Sequence, residues 1–528
     1  MRRTRLCALA VAVAALGIVV AVAQASTFNQ SALTQASATN PIAGCPPDGS
    51  GTNFPNSEVE PWLEVNPTNS DNLVGVYQQD RYSNGGAKVN VASASFDGGA
   101  TWTQTALPET TRCSGNPSFE RASDPWVSLG PDGVAHAMSL VTDPDAPSGA
   151  FGDNGMMYNR STTGGASWED AVPLTSDTGG RFLNDKNSMT ADPNDADFVY
   201  AVWDRLQQTR GDIRGGENVR GLGFKGPIMF TRTTDGGDSW ETPRRIYESG
   251  GNKQTIGNQI VVEPPSEGGS VIDCFGDITN GSRRRGTFGP VGISFIRSDN
   301  RGTTWTKPRL VADQLPMSLF RADSVIDTEP VACPAPDQAK TGRCPIRAGD
   351  LIPEVAVNRS NGNLYAVWMD ARFSTPPFGW DSIAFSRSTN GGATWSTPIR
   401  VNQTPQGDVQ NSQAFTPSVH VLNNGTIAVS YYDFRFNDPE DPATLDTDHW
   451  VVHCHPASEN CASAVNWDEE TRVTPTSFNI RTAPYARGYF LGDYMGLANA
   501  GGDILSLFGS TAGTGPSSIW LRRLTPAP

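Results

Sequence analysis

The chain has 528 residues, a formal net charge of −15 at pH 7, and 54 glycines and 39 prolines. The acidic balance argues against nucleic acid and anionic membrane surfaces as partners, although it does not exclude an anionic sugar held by a local cluster of arginines. The length alone would allow three domains. The composition is poor in long helix-forming runs, and the repeats described below favour one large all-β unit.

The first 25 residues are typical of a secretory signal peptide. Three arginines precede an apolar stretch over residues 6–23, and Ala23-Gln24-Ala25 forms a small-x-small cleavage site. An uncleaved anchor is the alternative. No later segment approaches the ~20 apolar residues that span a bilayer. We therefore expect a secreted, extracellular protein with no membrane contact after signal removal, and loss of the three arginines changes its net charge from −15 to −18.

Eight cysteines are present, and seven remain once Cys7 leaves with the signal peptide. Export permits disulfide bonds. We expect local bridges between Cys333 and Cys344 and between Cys454 and Cys461, because each closes a short loop. Cys45 and Cys113 are expected to form a third bridge. Cys274 would then be a free thiol on an apolar strand.

One pattern recurs along the chain: an apolar strand, a turn rich in Asn, Asp or Gly, and a second apolar strand that ends in Asp or Arg. Self-similarity of this kind is the signature of repeat architectures. Seven copies are present, and in chain order they cover residues 60–81, 124–143, 186–205, 258–277, 353–372, 416–435 and 494–510.

A second motif, Ser/Thr-x-x-x-Gly-x-Thr/Ser-Trp, follows each of the first five copies. Its Asp or Asn hydrogen-bonds nearby backbone and its glycine supplies a positive φ, so the motif predicts a hairpin turn. We expect each tryptophan to fold back onto its own repeat and to be largely buried, with all five on one rim. The sixth copy keeps Trp467 without the turn consensus. The five motifs end at Trp102, Trp168, Trp240, Trp305 and Trp395.

Each of the first five copies is followed by a third strand, the Gly-Trp turn and a fourth strand. Four antiparallel strands repeated around a ring make a β-propeller blade, and neighbouring blades protect the strand edges. We therefore predict an all-β fold, a β-propeller of four-stranded antiparallel blades over residues 57–528, with seven blades. Six blades plus an odd hairpin are the alternative. The seventh copy has three strands, so the N-terminal segment 26–56 is expected to supply the strand that closes the ring.

The Ser-x-Asp-x-Gly-x-x-Trp repeat resembles the Asp-box, or BNR repeat, of the sialidase-type β-propeller family over nearly the whole mature chain. The resemblance is specific for fold but not for activity, because Asp-boxes also occur in non-catalytic propellers and in other glycosidases. Sialidases of this type have six blades, so a seventh is a departure. The resemblance implies a secreted sialidase-like glycoside hydrolase acting on terminal sugars, such as an exo-α-sialidase. The alternative is a non-catalytic propeller that binds a glycan or a protein on the same face.

The resemblance also implies where the chemistry lies. In the family, the Asp-boxes lie away from the active site, which is formed by the starts of first strands and the ends of second strands. Sialidases use a tyrosine nucleophile, which needs an adjacent base because its pKa is near 10, and a separate acid. Arginines hold the substrate carboxylate. The matching positions are Tyr494 as nucleophile, Glu354 as its base, Asp80 as acid, and Arg81, Arg372 and Arg435 as substrate-binding residues.

One part of the family pattern is missing. The arginine of the first blade would fall at Val59 or Glu60, in the stretch VEPWLEV. A carboxylate at this position would repel sialic acid. The acids and bases that alternate at the strand ends also have an alternative interpretation, in which neighbouring Asp and Arg pair between blades and tie the ring together.

We expect a glycan or glycoconjugate as partner, a monomer, no cofactor and no bound metal. Two stretches carry residue types that bind metals. Residues 449–461 contain three histidines and two cysteines, and residues 436–448 are acidic but lack the ligand spacing of a defined Ca²⁺ loop. A Cys454–Cys461 bridge and solvated faces account for both stretches.

Overall fold

The computed structural model describes residues 28–526 apart from 48, 144–150, 209–223, 252, 280–289, 316–324, 327–345, 375–378, 408–410, 442 and 468–469. This part of the chain is all-β and contains no α-helix. Its helical elements are short 3-10 turns at Arg112–Ser114, Pro265–Glu267, Ala371–Phe373, Ala464–Asn466 and Ile480–Thr482. None of the described helices is long and apolar enough to cross a membrane.

The described strands form seven antiparallel units, which we number along the chain. Before unit 1 lie two short strands, β1 (Phe28–Gln30) and β2 (Thr34–Gln35). Unit 1 consists of β3 (Glu58–Val65), β4 (Leu73–Arg81), β5 (Ala87–Ser95) and β6 (Thr103–Ala106). Unit 2 consists of β7 (Arg121–Leu129), β8 (Ala135–Thr142), β9 (Asn154–Ser161) and β10 (Val172–Asp177).

Units 3 and 4 follow the same order. Unit 3 consists of β11 (Phe182–Ala191), β12 (Val199–Gln208), β14 (Ile228–Thr233) and β15 (Arg244–Tyr247), and the short β13 (Phe224–Lys225) also pairs with β12. Unit 4 consists of β16 (Lys253–Val262), β17 (Val271–Thr279), β18 (Val291–Ser298) and β19 (Arg309–Gln314). Two short strands follow, β20 (Val325–Ile326) and β21 (Ile346–Arg347).

Units 5 and 6 also have four strands in sequence. Unit 5 consists of β22 (Glu354–Val357), β23 (Leu364–Asp370), β24 (Ser382–Ser388) and β25 (Ile399–Arg400). Unit 6 consists of β26 (Ala414–Val421), β27 (Ile427–Asp433), β28 (Asp446–Cys454) and β29 (Thr471–Arg472), with β30 (Phe478–Asn479) also paired to β28. The next strand, β31 (Tyr489–Phe490), pairs in parallel with β21.

Unit 7 takes strands from both ends of the described chain. Its own strands are β32 (Gly496–Ala500), β33 (Asp503–Ser510) and β34 (Ser518–Pro526). The outer edge of β34 pairs with β1 and β2, so that Phe28 lies opposite Pro526 and Thr34 opposite Leu521. The N-terminal segment therefore completes the fourth position of unit 7.

The seven units contact one another in a closed sequence. The first strand of each unit contacts the first strand of the next, and β32 of unit 7 contacts β3 of unit 1. Buried apolar side chains fill the spaces between units, because both faces of each sheet are covered by a neighbour. The first strands therefore surround a common centre.

The five Gly-Trp turns share one hydrogen-bond arrangement. In unit 1, the Ser95 hydroxyl accepts a bond from the Gly99 N–H (2.8 Å), and the Asp97 carboxylate accepts one from the Thr101 N–H (2.9 Å). The Trp102 indole donates to the Gly99 carbonyl at 3.1 Å. Equivalent serine or threonine bonds to the turn glycine occur in units 2, 3, 4 and 5. Local side-chain chemistry therefore sets the shape of each turn.

The tryptophan rings of these turns pack differently from our expectation. We expected them to be largely buried against their own repeat, whereas they are half-buried, and ring contacts reach the third strand of the preceding unit. The physical reason is that an aromatic side chain on that strand faces the next unit. Three of the five make this contact, with centroid distances as follows: Tyr158–Trp240 (4.8 Å), Phe230–Trp305 (5.4 Å) and Phe295–Trp395 (5.9 Å). In unit 6, which lacks the turn motif, the buried Trp467 contacts Phe385 in the same way at 4.7 Å.

An arginine on the third strand also ties neighbouring units together. Arg160 of unit 2 donates to the Gly236 carbonyl in the turn of unit 3 (3.2 Å), and Arg297 of unit 4 donates to the Gly391 carbonyl in the turn of unit 5 (3.4 Å). We call this contact the arginine clasp. Unit 1 has no arginine at this position, and there Asn72 donates to the Gly164 carbonyl of unit 2 instead (2.9 Å).

Two of the predicted disulfides are confirmed. Cys45 and Cys113 are bonded, with Cα atoms 5.7 Å apart, and so are Cys454 and Cys461, at 5.9 Å. Cys274 is buried on β17 and forms no disulfide with a described cysteine. Cys333 and Cys344 lie outside the described residues.

Candidate functional site

Five of the seven first strands carry a β-bulge near their start, where the strand register shifts by one residue. Bulges re-aim side chains and are frequent beside functional sites. At each bulge one residue has a left-handed backbone, which for residues other than glycine costs about 1–2 kcal/mol. These residues and their φ angles are Glu60 (55°), Asp124 (47°), Lys186 (42°), Gly257 (67°) and Thr416 (48°).

Glu354 and Tyr494 line the same cavity at the centre of the ring. Glu354 begins β22 of unit 5, and Tyr494 precedes β32 of unit 7. The cavity has a volume of about 20 Å³, which is room for about one water molecule. Its lining residues are Trp126, Lys186, Asn187, Gly257, Asn258, Gln259, Ile352, Pro353, Glu354 and Tyr494.

The Glu354 carboxyl group is buried, with one oxygen free to act on a ligand. Oε2 accepts a hydrogen bond from the Ser418 hydroxyl at 2.9 Å, whereas Oε1 has no partner among the described residues. Burial raises the pKa of Glu354 to about 8, against the opposing effect of the Ser418 bond. The group is therefore protonated at neutral pH.

The Tyr494 side chain is held by backbone rather than by Glu354. Its hydroxyl donates to the Pro125 carbonyl at 2.9 Å, and its ring packs edge-on against Trp126 with centroids 5.3 Å apart. Burial, together with nearby carboxylates such as Glu60, raises the pKa of Tyr494 well above its usual value. The phenol is therefore neutral, and its proton is directed to a carbonyl oxygen.

Lys186 sits at the centre of a buried cluster of charges. Its Nζ lies 2.7 Å from an Asp493 oxygen, 3.2 Å from Asp124 and 3.3 Å from Glu60. Burial alone would lower the pKa of Lys186, but these carboxylates raise it well above its usual value. A second cation, Arg347, lies 2.8 Å from Asp493. Lys186 and Arg347 outweigh burial and hold the pKa of Asp493 well below its usual range.

Arg81, a predicted substrate-binding residue, is buried beside this cluster. Its guanidinium donates to Gln78 and lies over the Phe490 ring at 4.8 Å from the centroid. Arg347 lies over the same ring at 4.3 Å. Burial and the charge of Arg347 lower the pKa of Arg81 to about 10. Arg81 does not line the cavity.

Arg372 and Arg435, the other predicted substrate-binding residues, do not line the cavity either. Each is paired with the aspartate two residues earlier on its own second strand: Arg372 with Asp370 at 2.8 Å, and Arg435 with Asp433 at 2.6 Å. Both pairs lie within a single unit, so they differ from the pairing between blades that the sequence left open as the alternative.

Asp80, the predicted acid, lies under the N-terminal segment. It is paired with Lys88 at 3.0 Å and accepts hydrogen bonds from the Asn56 N–H and the Asn40 side chain. The Asp80 backbone is left-handed, with a φ of 63°. The structure therefore brings Tyr494 and Glu354 together and places Asp80 elsewhere.

Sequence reasoning gave no role to Lys186, Trp126 or Arg347. Aligning the seven first strands would have found the first two, since Lys186 occupies the same position as Glu60 and Asp124, and Trp126 lies two residues after Asp124. Arg347 lies on a short strand outside the repeats, and nothing in its local sequence indicates its position.

No group of three or more His, Cys, Asp or Glu side chains that could hold a metal ion occurs in the part of the chain that the structure describes. In the stretch 449–461, His449 hydrogen-bonds Ser506 and His455 hydrogen-bonds Thr426. These side chains have partners within the protein.

No family model matches the chain, and no protein of curated function does. Among solved structures, the chain is similar to the Hadza microbial sialidase, with a TM-score of 0.44, 12% identity, and coverage of 87% of this chain and 75% of that one. It is similar to a leech intramolecular trans-sialidase complexed with 2,7-anhydro-Neu5Ac, with a TM-score of 0.42, 10% identity, and coverage of 90% of this chain and 92% of that one. It is also similar to an α-L-arabinofuranosidase of Fusarium graminearum complexed with arabinobiose, with a TM-score of 0.41, 12% identity, and coverage of 78% of this chain and 94% of that one. Values this low assign neither an activity nor a substrate to this chain.

Proposed function

We propose that the chain is an exported, seven-bladed, sialidase-like β-propeller that acts as a glycoside hydrolase on terminal sugars. The observation that carries this proposal is that Glu354 and Tyr494, which come from different units, line one central cavity. Because the cavity has a volume of about 20 Å³, it admits one small group such as a water or a leaving-group oxygen, and the sugar ring itself must lie outside it. Ligand sites in ring-shaped β folds form where the ends of several units meet. The closed sequence of contacts among seven first strands supports seven blades rather than six.

Glu354 is the proposed proton donor: its proton passes to the leaving-group oxygen as the glycosidic bond breaks, and the water that adds to the anomeric carbon returns a proton to the Glu354 carboxylate. A general acid must be protonated at the working pH and must face the leaving-group oxygen. The raised pKa of Glu354, about 8, meets the first requirement, and the unpartnered Oε1 in the cavity supports the second. Ser418 acts as a positioning residue, because its bond to Oε2 holds the carboxyl group and leaves Oε1 unpartnered.

Tyr494 is not the nucleophile in this proposal. Nucleophilic attack requires a base that removes the phenolic proton. The Tyr494 hydroxyl donates to the Pro125 carbonyl, which cannot accept that proton permanently, and the structure gives no hydrogen bond between Tyr494 and Glu354. We propose instead that Tyr494 and Trp126 form an aromatic wall of the cavity.

The proposed substrate is a neutral sugar rather than sialic acid. A sialic acid carboxylate needs cations that are free to bind it. Here Lys186 is neutralised by three carboxylates, and Arg347 by Asp493. Glu60 also occupies the place of the missing first-blade arginine. With the neighbouring Arg81, three cations face the three carboxylates Glu60, Asp124 and Asp493, so the cluster has no surplus positive charge to hold a further carboxylate.

Hydrolysis of a panel of fluorogenic glycosides, including an α-sialoside, tests the proposal. We expect the purified protein to cleave at least one neutral glycoside, and Glu354→Gln to lower kcat by about 10²-fold or more, as for loss of a general acid. Glu58→Gln is the matched control, because Glu58 is also buried with a pKa of about 8 but lies outside the cavity. No cleavage of any glycoside, or full activity of Glu354→Gln, contradicts the proposal.

A non-catalytic glycan-binding propeller is the second candidate. It is favoured by the Tyr494–Pro125 bond and by Glu354 being the one carboxylate among the described residues that line the cavity, because most glycoside hydrolases use two. Saturable binding of a glycan without turnover, retained in Glu354→Gln, would identify this function.

Export is supported by the chemistry of the cysteines. Disulfides persist in oxidising compartments, and the two described disulfides join residues 68 and 7 positions apart. We propose an extracellular location on this basis.

A further inference from the structure

A polar groove opens between units 4 and 5, on the side of the Gly-Trp turns and away from the central cavity. Its volume is about 370 Å³, within the range of small-molecule sites. All of its lining residues are polar, charged or glycine. They are Glu263, Glu267, Arg297, Asp299, Thr306, Arg309, Asn361, Gly362, Thr389, Asn390 and Gly391.

The equivalent space between units 3 and 4 is filled by the protein itself. Glu241 of unit 3 accepts hydrogen bonds from Arg232 and Arg244, both at 2.8 Å. Arg244 also donates to the Gly302 carbonyl in the turn of unit 4. A carboxylate bound between two arginines therefore closes this boundary.

Unit 4 lacks that carboxylate. Counting from the turn tryptophan of each unit, Thr306 stands where unit 3 has Glu241, and Arg309 stands where unit 3 has Arg244. Arg297, the counterpart of Arg232, is paired with Glu263 at 2.9 Å and with Asp299 at 2.6 Å. Arg309 is exposed and forms no ion pair within 4 Å among the described residues, although it is near enough to Asp299 of the same groove to help lower the pKa of that carboxyl. The groove is open because one acid of the repeat is missing.

The groove also holds acceptors that are not fully used. Glu263 Oε2 is buried and has no hydrogen-bond partner among the described residues, although Oε1 is bound to Arg297. Glu267 adds a second carboxylate to the lining. These oxygens suit hydroxyl donors, whereas Arg309 suits a carboxylate, which a guanidinium binds through two parallel N–H groups.

We propose that this groove binds a carboxylate-bearing sugar. Its carboxylate takes the place at Arg309 that Glu241 takes at Arg244, and its hydroxyls donate to the exposed carboxylate of Glu267. A sugar acid fits better than a peptide segment, because no apolar side chain lines the groove to receive one. This site is separate from the central cavity and does not depend on the proposed hydrolase activity.

Calorimetric titration with D-glucuronate, with D-glucose as the neutral comparison, tests the proposal. We expect saturable binding of glucuronate at least tenfold tighter than of glucose. Thr306→Glu restores the acid found in unit 3 and should weaken glucuronate binding at least tenfold. Arg309→Gln should do the same, and because Arg309 is exposed this variant is expected to fold. The control is Ser396→Glu, which places the same acid at the same repeat position in unit 5, outside this groove.

Equal affinity for glucose and glucuronate, absence of glucuronate binding, or unchanged binding in both Thr306→Glu and Arg309→Gln would overturn the proposal. The Glu354→Gln variant distinguishes binding in the groove from binding in the central cavity. Glucuronate binding should persist in this variant, and its loss would place the ligand in the central cavity instead. Failure of the hydrolase assay leaves these outcomes unaffected, because they measure binding alone.

Discussion

Arg523 of unit 7 donates a hydrogen bond from Nη2 to the carbonyl oxygen of Gly98 in the turn of unit 1, at 3.2 Å and across 425 positions of sequence. The same guanidinium is paired with Asp503 at 3.0 Å. This bond is the arginine clasp at the point where the last unit meets the first. The contact that joins consecutive units elsewhere in the ring therefore also joins unit 7 to unit 1.

Replacing Arg523 by alanine should weaken that closure. Hydrogen bonds to charged groups contribute about 1.5–3 kcal/mol, but the Arg523 side chain is 28% exposed, which reduces the contribution. We expect a loss of about 1 kcal/mol in the free energy of unfolding, measured by denaturant titration. The control is Arg245→Ala, since Arg245 is half exposed and paired with Glu248. Equal losses in both variants would contradict a special role for the clasp.

Lys186→Met should be much more destabilising. The substitution leaves Asp124 buried without its cation and Asp493 with Arg347 alone, and breaking a buried ion pair from one side costs about 3–5 kcal/mol. Denaturant titration measures the difference. Lys253→Met is the comparison, because Lys253 is 42% exposed in its pair with Asp277 and should lose at most about 1 kcal/mol. A loss in Lys186→Met no larger than in this control would argue against the charge cluster as a source of stability.

Tyr494→Phe separates the structural and chemical roles of the phenol. Loss of the bond to the Pro125 carbonyl should lower the free energy of unfolding by about 1 kcal/mol. Since we do not assign Tyr494 as nucleophile, kcat on a cleaved glycoside should fall by less than tenfold. The resemblance to sialidases alone predicts abolition of activity. A loss as large as that of Glu354→Gln would restore the nucleophile assignment.

Stability should decrease as the pH rises through neutrality. Burial raises the pKa of three carboxyl groups to about 8, namely Glu58, Asp204 and Glu354. Between their unfolded values near 4 and about 8, the native state binds more protons than the unfolded state, so the free energy of unfolding falls with increasing pH. The stabilisation that these protonated carboxyl groups provide is complete below their unfolded pKa, near 4, and is lost as the pH passes about 8.

Calorimetric melting from about pH 5 to about pH 8.5 checks this prediction. Tm should be higher at the acidic end. Carboxyl groups with lowered pKa values, such as Asp97 at about 2, lose their stabilising effect only below about pH 4. The buried His136 and His449, whose pKa values burial lowers to about 3, oppose the trend up to about pH 6.5, where unfolded histidine titrates. They are fewer than the carboxyl groups, and above about pH 6.5 they no longer oppose the decrease. Glu58→Gln should make the dependence shallower. A Tm that rises steadily across the range would show that these carboxyls are ionised in the native protein.

The sequence was sufficient to predict the units because their signals are local. Ser95, Asp97, Gly99 and Trp102 all hydrogen-bond within one eight-residue stretch. The convergence of Glu354 on Tyr494 could also be anticipated, since both lie at the start of an inner strand and a ring brings such positions together. The residues that line the cavity from units 2 and 3, Trp126 and Lys186, follow from the same geometry once the strands are aligned.

The partners of arginines could not be predicted in the same way. An Asp-x-Arg spacing allows the arginine either to bind a ligand or to fold back on its own aspartate, and Arg372 and Arg435 take the second option. Arg347 reaches the centre because β21 pairs with β31, a contact between chain segments with no repeat relationship. The tryptophan contacts depended on which face of the preceding unit carries an aromatic ring, which the turn motif does not encode.

The pairing of β1 and β2 with β34 determines the order in which the molecule can be assembled. During synthesis from the N-terminus, units 1 to 6 can form as an open arc, but β1 and β2 have no partner until β34 has been made. The two ends of that arc expose strands that would pair with other chains. Assembly is thus completed by its most distant contact, which is a slow step in folding. A break in either terminal strand should leave an aggregation-prone arc rather than a smaller ring.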